Sequence, residues 1–187
     1  NRNESLMYIP DGAVLTNYLE GYFPPETWGD IEDMLGADSP ELAQMDRLRS
    51  AVQYTCPSLA LAQAAQEAGG TAYVYRFDRV REGFDAIGAY HGAELPYVFD
   101  THDPWMPTNA VDQQVTDALV DYWVAFLTSG SPNNSQSGDS EITGAIWPAW
   151  THQQQAVVIA DEVSTQTHPD AALCEFLNAT QVAGARH

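Results

Sequence analysis

Histidine and cysteine are the residues of this sequence best suited to chemistry. An imidazole exchanges protons near neutral pH, and a thiol can bind metal, attack a carbonyl or form a disulfide. There are five histidines, His91, His102, His152, His168 and His187, and two cysteines, Cys56 and Cys174. No histidine stands three or four residues from another, and the cysteines form no Cys-x-x-Cys, so no metal site is expected. No glycine-rich phosphate loop is present, which argues against a nucleotide cofactor. A Gly-x-Ser-x-Gly nucleophile turn is absent as well, because Ile142 breaks the run Gly138-Asp139-Ser140-Glu141. His91 stands out among the histidines because Gly88 and Gly92 flank it, and glycine lets a backbone turn sharply or approach a ligand. A polar loop residue is the plain alternative. Cys56 and Cys174 leave two readings open: a bridge worth about 4–5 kcal/mol of chain entropy, or two buried thiols.

The elements that must position these residues follow from pattern. Helices are expected over Ala13–Glu20, Glu26–Leu35, Pro40–Gln53 and Pro57–Ala68, with Ser39-Pro40 as N-cap and N1 of the third and Gly69-Gly70 as the stop of the fourth. The stretch Thr71–Phe77 is rich in β-formers and reads as a strand, followed by a charged loop over Asp78–Ala86. The clearest helix is Ala110–Thr128, where Val111, Val115, Ala118, Leu119, Tyr122, Trp123 and Phe126 share one face, with Asp112, Asp117 and Asp121 opposite. Ser129–Gly144 reads as a surface loop, Gln155–Ala160 as a buried strand and Pro169–Leu177 as a last helix carrying Cys174. Helices alternating with short apolar strands favour an α/β fold.

Composition narrows the class. The chain of 187 residues is 44% hydrophobic and 11% aromatic, enough to fill a core in one domain. Its formal net charge is −19, and every basic residue is an arginine. Such a surface repels phosphate backbones and anionic lipid, so neither nucleic acid nor membrane is expected as a partner. No apolar run approaches the roughly 20 residues of a membrane-spanning helix. Asn-x-Ser/Thr triplets at Asn3, Asn133 and Asn178 hint at secretion. The Asn1 start reads as a processed end or a fragment.

The stretch Gly88-Ala89-Tyr90-His91-Gly92-Ala93-Glu94-Leu95-Pro96-Tyr97-Val98-Phe99 resembles the histidine segment of the type-B carboxylesterase/cholinesterase family of α/β-hydrolases. Further landmarks follow in order. Cys56-Pro57 resembles the start of a family helix, and Tyr73–Phe77 the strand after it. Tyr122–Phe126 and Gly130-Ser131-Pro132-Asn133 resemble the Trp-x-x-Phe helix end and its turn. Trp147-Pro148 resembles the family Trp-Pro, and Leu173–Phe176 its C-terminal cysteine segment. At the front, Asn1-Arg2-Asn3-Glu4 resembles the segment carrying the triad acid, with Ser5 where the family has glycine.

The resemblance implies a mostly parallel central sheet flanked by helices, with residues 1–187 as the C-terminal portion of one α/β-hydrolase domain. It implies that Glu4 and His91 are the acid and base of a Ser-Glu-His triad. The nucleophile and oxyanion hole would then lie in an N-terminal portion, the expected partner of this chain. Glu94 is implied as a buried acid behind the triad, a plain helix-start carboxylate being the other reading. A Cys56–Cys174 disulfide is implied, and with it export to a periplasm, cell exterior or secretory lumen. The implied activity is cofactor-free hydrolysis of a small carboxylic ester by a serine esterase. Tyr8, Tyr18, Tyr22, Phe23 and Trp28 suggest an apolar or aromatic substrate. A family member without catalysis, acting as a binding or adhesion module, is the alternative; such members usually lose the histidine or the acid.

Overall fold

The computed structural model describes residues 14–85, 87–134 and 144–184, which form a mixed α/β structure. The chain divides into two units, residues 1–61 with 169–187, and residues 62–168.

The first unit is helical. Helices α1 (Val14–Tyr22), α2 (Trp28–Leu35) and α3 (Glu41–Ser50) are followed by a π-helical turn at Ala51–Thr55 that runs directly into α4 (Cys56–Glu67). The expected helix over Pro40–Gln53 is therefore shorter, and no loop separates it from the next. Pro40, not Ser39, occupies the N-cap of α3, without a side-chain cap. In place of one, Glu41 on the first turn accepts the Leu15 N–H at 3.0 Å, tying α1 to α3. Leu19, Ile31, Leu48, Leu173 and Leu177 are fully buried here, the last two on α7 (Ala171–Gly184). Arg47 donates to Asp170 at 2.7 Å and to the Met34 carbonyl at 2.9 Å, joining α3, α2 and the start of α7. Cys56 and Cys174 are bonded to each other with their Cα atoms 5.1 Å apart, closing a sequence separation of 118.

The second unit is built on a three-stranded sheet in the order β1 (Tyr75–Phe77), β2 (Gln155–Ile159), β3 (Val163–Thr167). β1 pairs parallel to β2, Tyr75 opposite Val157, and β2 turns back into antiparallel β3, Ile159 opposite Val163. The sequence pattern does not signal β3, because Val163-Ser164-Thr165-Gln166-Thr167 is an exposed, polar edge strand. The long helix α6 (Ala110–Ser129) lays Val115, Ala118, Leu119 and Tyr122 on Phe77, Val157 and Ile159. Trp147 completes this core, its indole N–H donating to the Val74 carbonyl at 2.9 Å and its ring edge-on to Tyr75 and Tyr122.

Both ends of α6 are written in its sequence. Asn109 accepts the Val111 and Asp112 N–H groups while Asp112 accepts the Asn109 N–H at 2.9 Å, a capping box that satisfies orphan donors reciprocally. Gly130 ends the helix at φ 78°, a left-handed position that costs glycine least. Two expectations for this helix need correction. Asp112 is completely buried instead of facing solvent, because a hydrogen-bond network neutralises it. Phe126 is 37% exposed and Trp123 half-buried, so the apolar stripe fades into the surface toward the C-terminus.

Candidate functional site

His91 opens a turn over residues 91–94 that leads into the one-turn helix α5 (Leu95–Val98). Backbone bonds from Ala93 N to Tyr90 O, Leu95 N to Gly92 O and Tyr97 N to Glu94 O wind the segment tightly. Gly92 holds φ at +87° with nothing tighter than Leu95 Cδ1 at 3.6 Å from where a Cβ would sit. Glycine is thus demanded there by conformation and not by crowding. Ala89 and Ala93, two residues either side, are buried in the core, while His91 is exposed. The turn thus sets the His91 ring toward solvent between two residues held in the core.

Glu94 is half-buried and takes the N-cap position of α5, without a side-chain cap hydrogen bond. Its charge also reaches Tyr75: burial first, then Glu94, push the Tyr75 hydroxyl up to about 12. Glu4 lies outside the described residues, as does Tyr8, so the structure does not describe a Glu4–His91 pair. Among the aromatic residues expected to shape a substrate site, Tyr18 and Tyr22 stack at 4.6 Å, with Tyr22 68% exposed. Phe23 is buried, and Trp28 donates its indole N–H to the Phe23 carbonyl.

What anchors α5 is a polar network that the motif reading of the sequence did not single out. The Tyr97 hydroxyl donates to Asp112 Oδ1 at 2.7 Å, and Arg79 Nε donates to the same oxygen at 2.9 Å. Arg79 also reaches Asp161 at 2.6 Å, which ties the end of β1 to the β2–β3 turn. Arg81 places its guanidinium 4.5 Å above the Tyr97 ring and donates to His102 Nδ1 at 2.7 Å. Arg79 and Arg81 are 6% and 7% exposed, so the charged loop expected here keeps Glu82 and Asp85 at the surface while its two arginines turn inward. Burial alone would raise the Asp112 pKa. Hydrogen bonds from Tyr97, Arg79 and the Asn109 backbone outweigh it and hold the carboxyl below its ordinary 3.8. Two signals could have pointed here: the Asn109-x-x-Asp112 box, and the investment of two of seven arginines in one short segment.

The carboxylesterase family profile matches residues 27–177. The chain belongs to the carboxylesterase family. The matched span of this carboxylesterase-family chain includes Cys56, His91, Glu94 and Cys174, and begins after Glu4. The chain is 29% identical over 106 residues to the phenmedipham hydrolase of Pseudarthrobacter oxydans, covering 52% of this chain and 20% of that protein. It is 29% identical over 86 residues to secreted lipase 5 of Gibberella zeae, covering 44% of this chain and 16% of that protein. In three dimensions it resembles a Geobacillus stearothermophilus carboxylesterase with a TM-score of 0.70 at 20% identity, over 92% of this chain and 36% of that one. A pNB esterase aligns with a TM-score of 0.65 at 20% identity, over 95% of this chain and 36% of that one. The fold is therefore that of the α/β-hydrolase esterases, and the chain spans about a third of such a structure. Among the described residues, no helix is long and apolar enough to cross a membrane.

Proposed function

We propose that this chain is the C-terminal portion of a single α/β-hydrolase domain in a serine carboxylesterase, with Glu4 as triad acid and His91 as general base. The observation that carries the reading is the family match across the His91 segment, joined to the placement of His91 on an exposed, glycine-shaped turn. A span of about a third of the solved esterases supports an N-terminal partner portion that supplies the nucleophile and oxyanion hole.

In this mechanism the acid accepts a hydrogen bond from His91 Nδ1–H, fixing the tautomer and stabilising the imidazolium that forms. Nε2 takes the serine proton during acylation and returns it to the leaving alcohol, and water then repeats the cycle on the acyl-enzyme. The substrate class is a small carboxylic ester, a reading supported by the family match. A disulfide and a relative named as a secreted lipase support export from the cytoplasm.

The test is steady-state hydrolysis of a simple aryl ester by the full-length esterase. His91→Ala lowers kcat by about 10³-fold or more, because an unactivated serine is a poor nucleophile. Glu4→Gln lowers it by about 10²–10⁴-fold. The double variant matches His91→Ala alone, since the acid then has nothing to orient. A His91→Ala enzyme with intact folding and normal kcat would overturn the reading and leave a binding module in its place.

A further inference from the structure

His102 lies in the connection between α5 and α6, and both of its ring nitrogens are committed by proton count. Thr116 Oγ1 spends its one proton on the Asp112 carbonyl at 2.8 Å, so toward His102 Nε2, 2.7 Å away, it can only accept. Arg81 has donors and no acceptor, so His102 Nδ1, 2.7 Å from its Nη2, must be the unprotonated nitrogen. The ring is therefore neutral, with its proton on Nε2. Arg81 also donates to the Pro107 carbonyl and to Thr108 Oγ1, both at 3.2 Å, so one guanidinium holds this connection at three points. The held segment walls an open groove of about 620 Å³ and presents Trp105, 70% exposed, at its rim.

We propose that His102 is an acid-released catch: neutral, it locks residues 99–109 to Arg81 and α6, and on protonation it lets them go. A second ring proton on Nδ1 would point a donor at a donor and set two cations against each other at hydrogen-bond distance. The other charged groups around the ring do not rescue it. Burial first, and then Arg81, lower the His102 pKa from its ordinary 6.5, while Asp100 on the same segment and Asp112 on α6 pull the other way without reversing the balance. Arg79 is already engaged by Asp112 and Asp161, and Tyr97 presents a ring edge-on to His102. The sign follows from that lowered value. The catch contributes fully above about pH 6.5, the unfolded histidine value, and its contribution is lost as pH falls below it. Loosening of α5, and of the His91 turn before it, would carry this to turnover; that consequence alone rests on His91 being the base.

Hydrogen exchange of the full-length esterase, corrected for intrinsic rates and compared at about pH 7.5 and pH 5, reads the catch directly. The Thr101 and Met106 amides, bonded to the Pro96 and Asp103 carbonyls, report on the segment. Exchange over 99–109 is expected to rise about fivefold or more at the lower pH while β2 keeps its protection. His102→Gln, whose amide offers one acceptor and one donor group and cannot titrate, should abolish the step. His91→Ala should keep the step while losing ester hydrolysis, so failure of the catch and failure of the esterase reading are separable. Flat protection of 99–109 in the wild type, or a step that survives in His102→Gln, would overturn the proposal. So would imidazole nitrogen shifts placing the proton on Nδ1 at neutral pH, a measurement that needs no variant.

Discussion

Asp112 is the residue whose role departs most from its apparent one. A carboxylate with no exposure is tolerated only when charge and lone pairs are all matched, and here Arg79, Tyr97 and the Asn109 N–H supply the match. Removing one partner is therefore worse than never having built the pair. Asp112→Ala in the full-length protein takes the acceptor from the buried Tyr97 hydroxyl and leaves Arg79 with Asp161 and the Asn109 side chain, and should lower unfolding free energy by about 1–3 kcal/mol in urea titration. Its pH dependence separates it from His102. The Asp112 carboxyl sits below its ordinary 3.8, so its contribution is complete above that value and lost only as pH falls beneath it. The melting temperature of the wild type should thus fall in two steps on acidification. The first, below about pH 6.5, disappears in His102→Gln, and the second, below about pH 4, stays.

At the scale of elements, α6 is the spine of the second unit, and both of its ends are fixed by their capping residues. Asn109→Ala removes the acceptor for two backbone N–H groups, a loss whose usual range is about 0.5–2 kcal/mol. Because the same amide oxygen also lies 3.4 Å from Arg79 Nη2, the loss should sit at the upper end. Gly130→Ala forces a Cβ onto a φ of 78° and should cost about 1 kcal/mol, with no steric neighbour to add to it. Urea midpoints of the two variants check both values. In the first unit the Cys56–Cys174 bond joins the start of α4 to α7, and Cys56→Ser should lower stability by about 2–5 kcal/mol. An unreduced digest read by mass spectrometry should show the two cysteine peptides linked.

At the scale of the molecule, the described residues hold a sheet of three strands whose β1 edge pairs with β2 alone. Large apolar side chains stand exposed in both units: Tyr22 and Leu61 in one, Phe99, Trp105, Leu127 and Ile146 in the other, each above 65%. Unpaired strand edges and exposed apolar patches are the features that drive association. The 187 residues expressed alone should therefore aggregate or lack a cooperative melt, and coexpression with the proposed N-terminal portion should restore near-UV circular dichroism and a single transition. A cooperative melt of the isolated chain would count against the partial-domain reading.

Periodicity, punctuation and resemblance carried a large part of this protein in one dimension. The apolar spacing of α6, the Gly69-Gly70 stop after α4 and the apolar run of β2 are local signals, because a helix face or a buried strand is specified by residues within a few positions of each other. The α/β class followed from their alternation, and the pairing of Cys56 with Cys174 from resemblance to a family. The Arg79–Asp112 and Arg81–His102 contacts were not legible, because each joins residues on separate elements, 33 and 21 positions apart. A charged residue on the polar side of a helix looks alike in sequence whether water or an arginine meets it. Only packing α5 and the segment after β1 against α6 turned Asp112 from a surface carboxylate into a buried anchor, and His102 from an ordinary histidine into one with a single allowed proton.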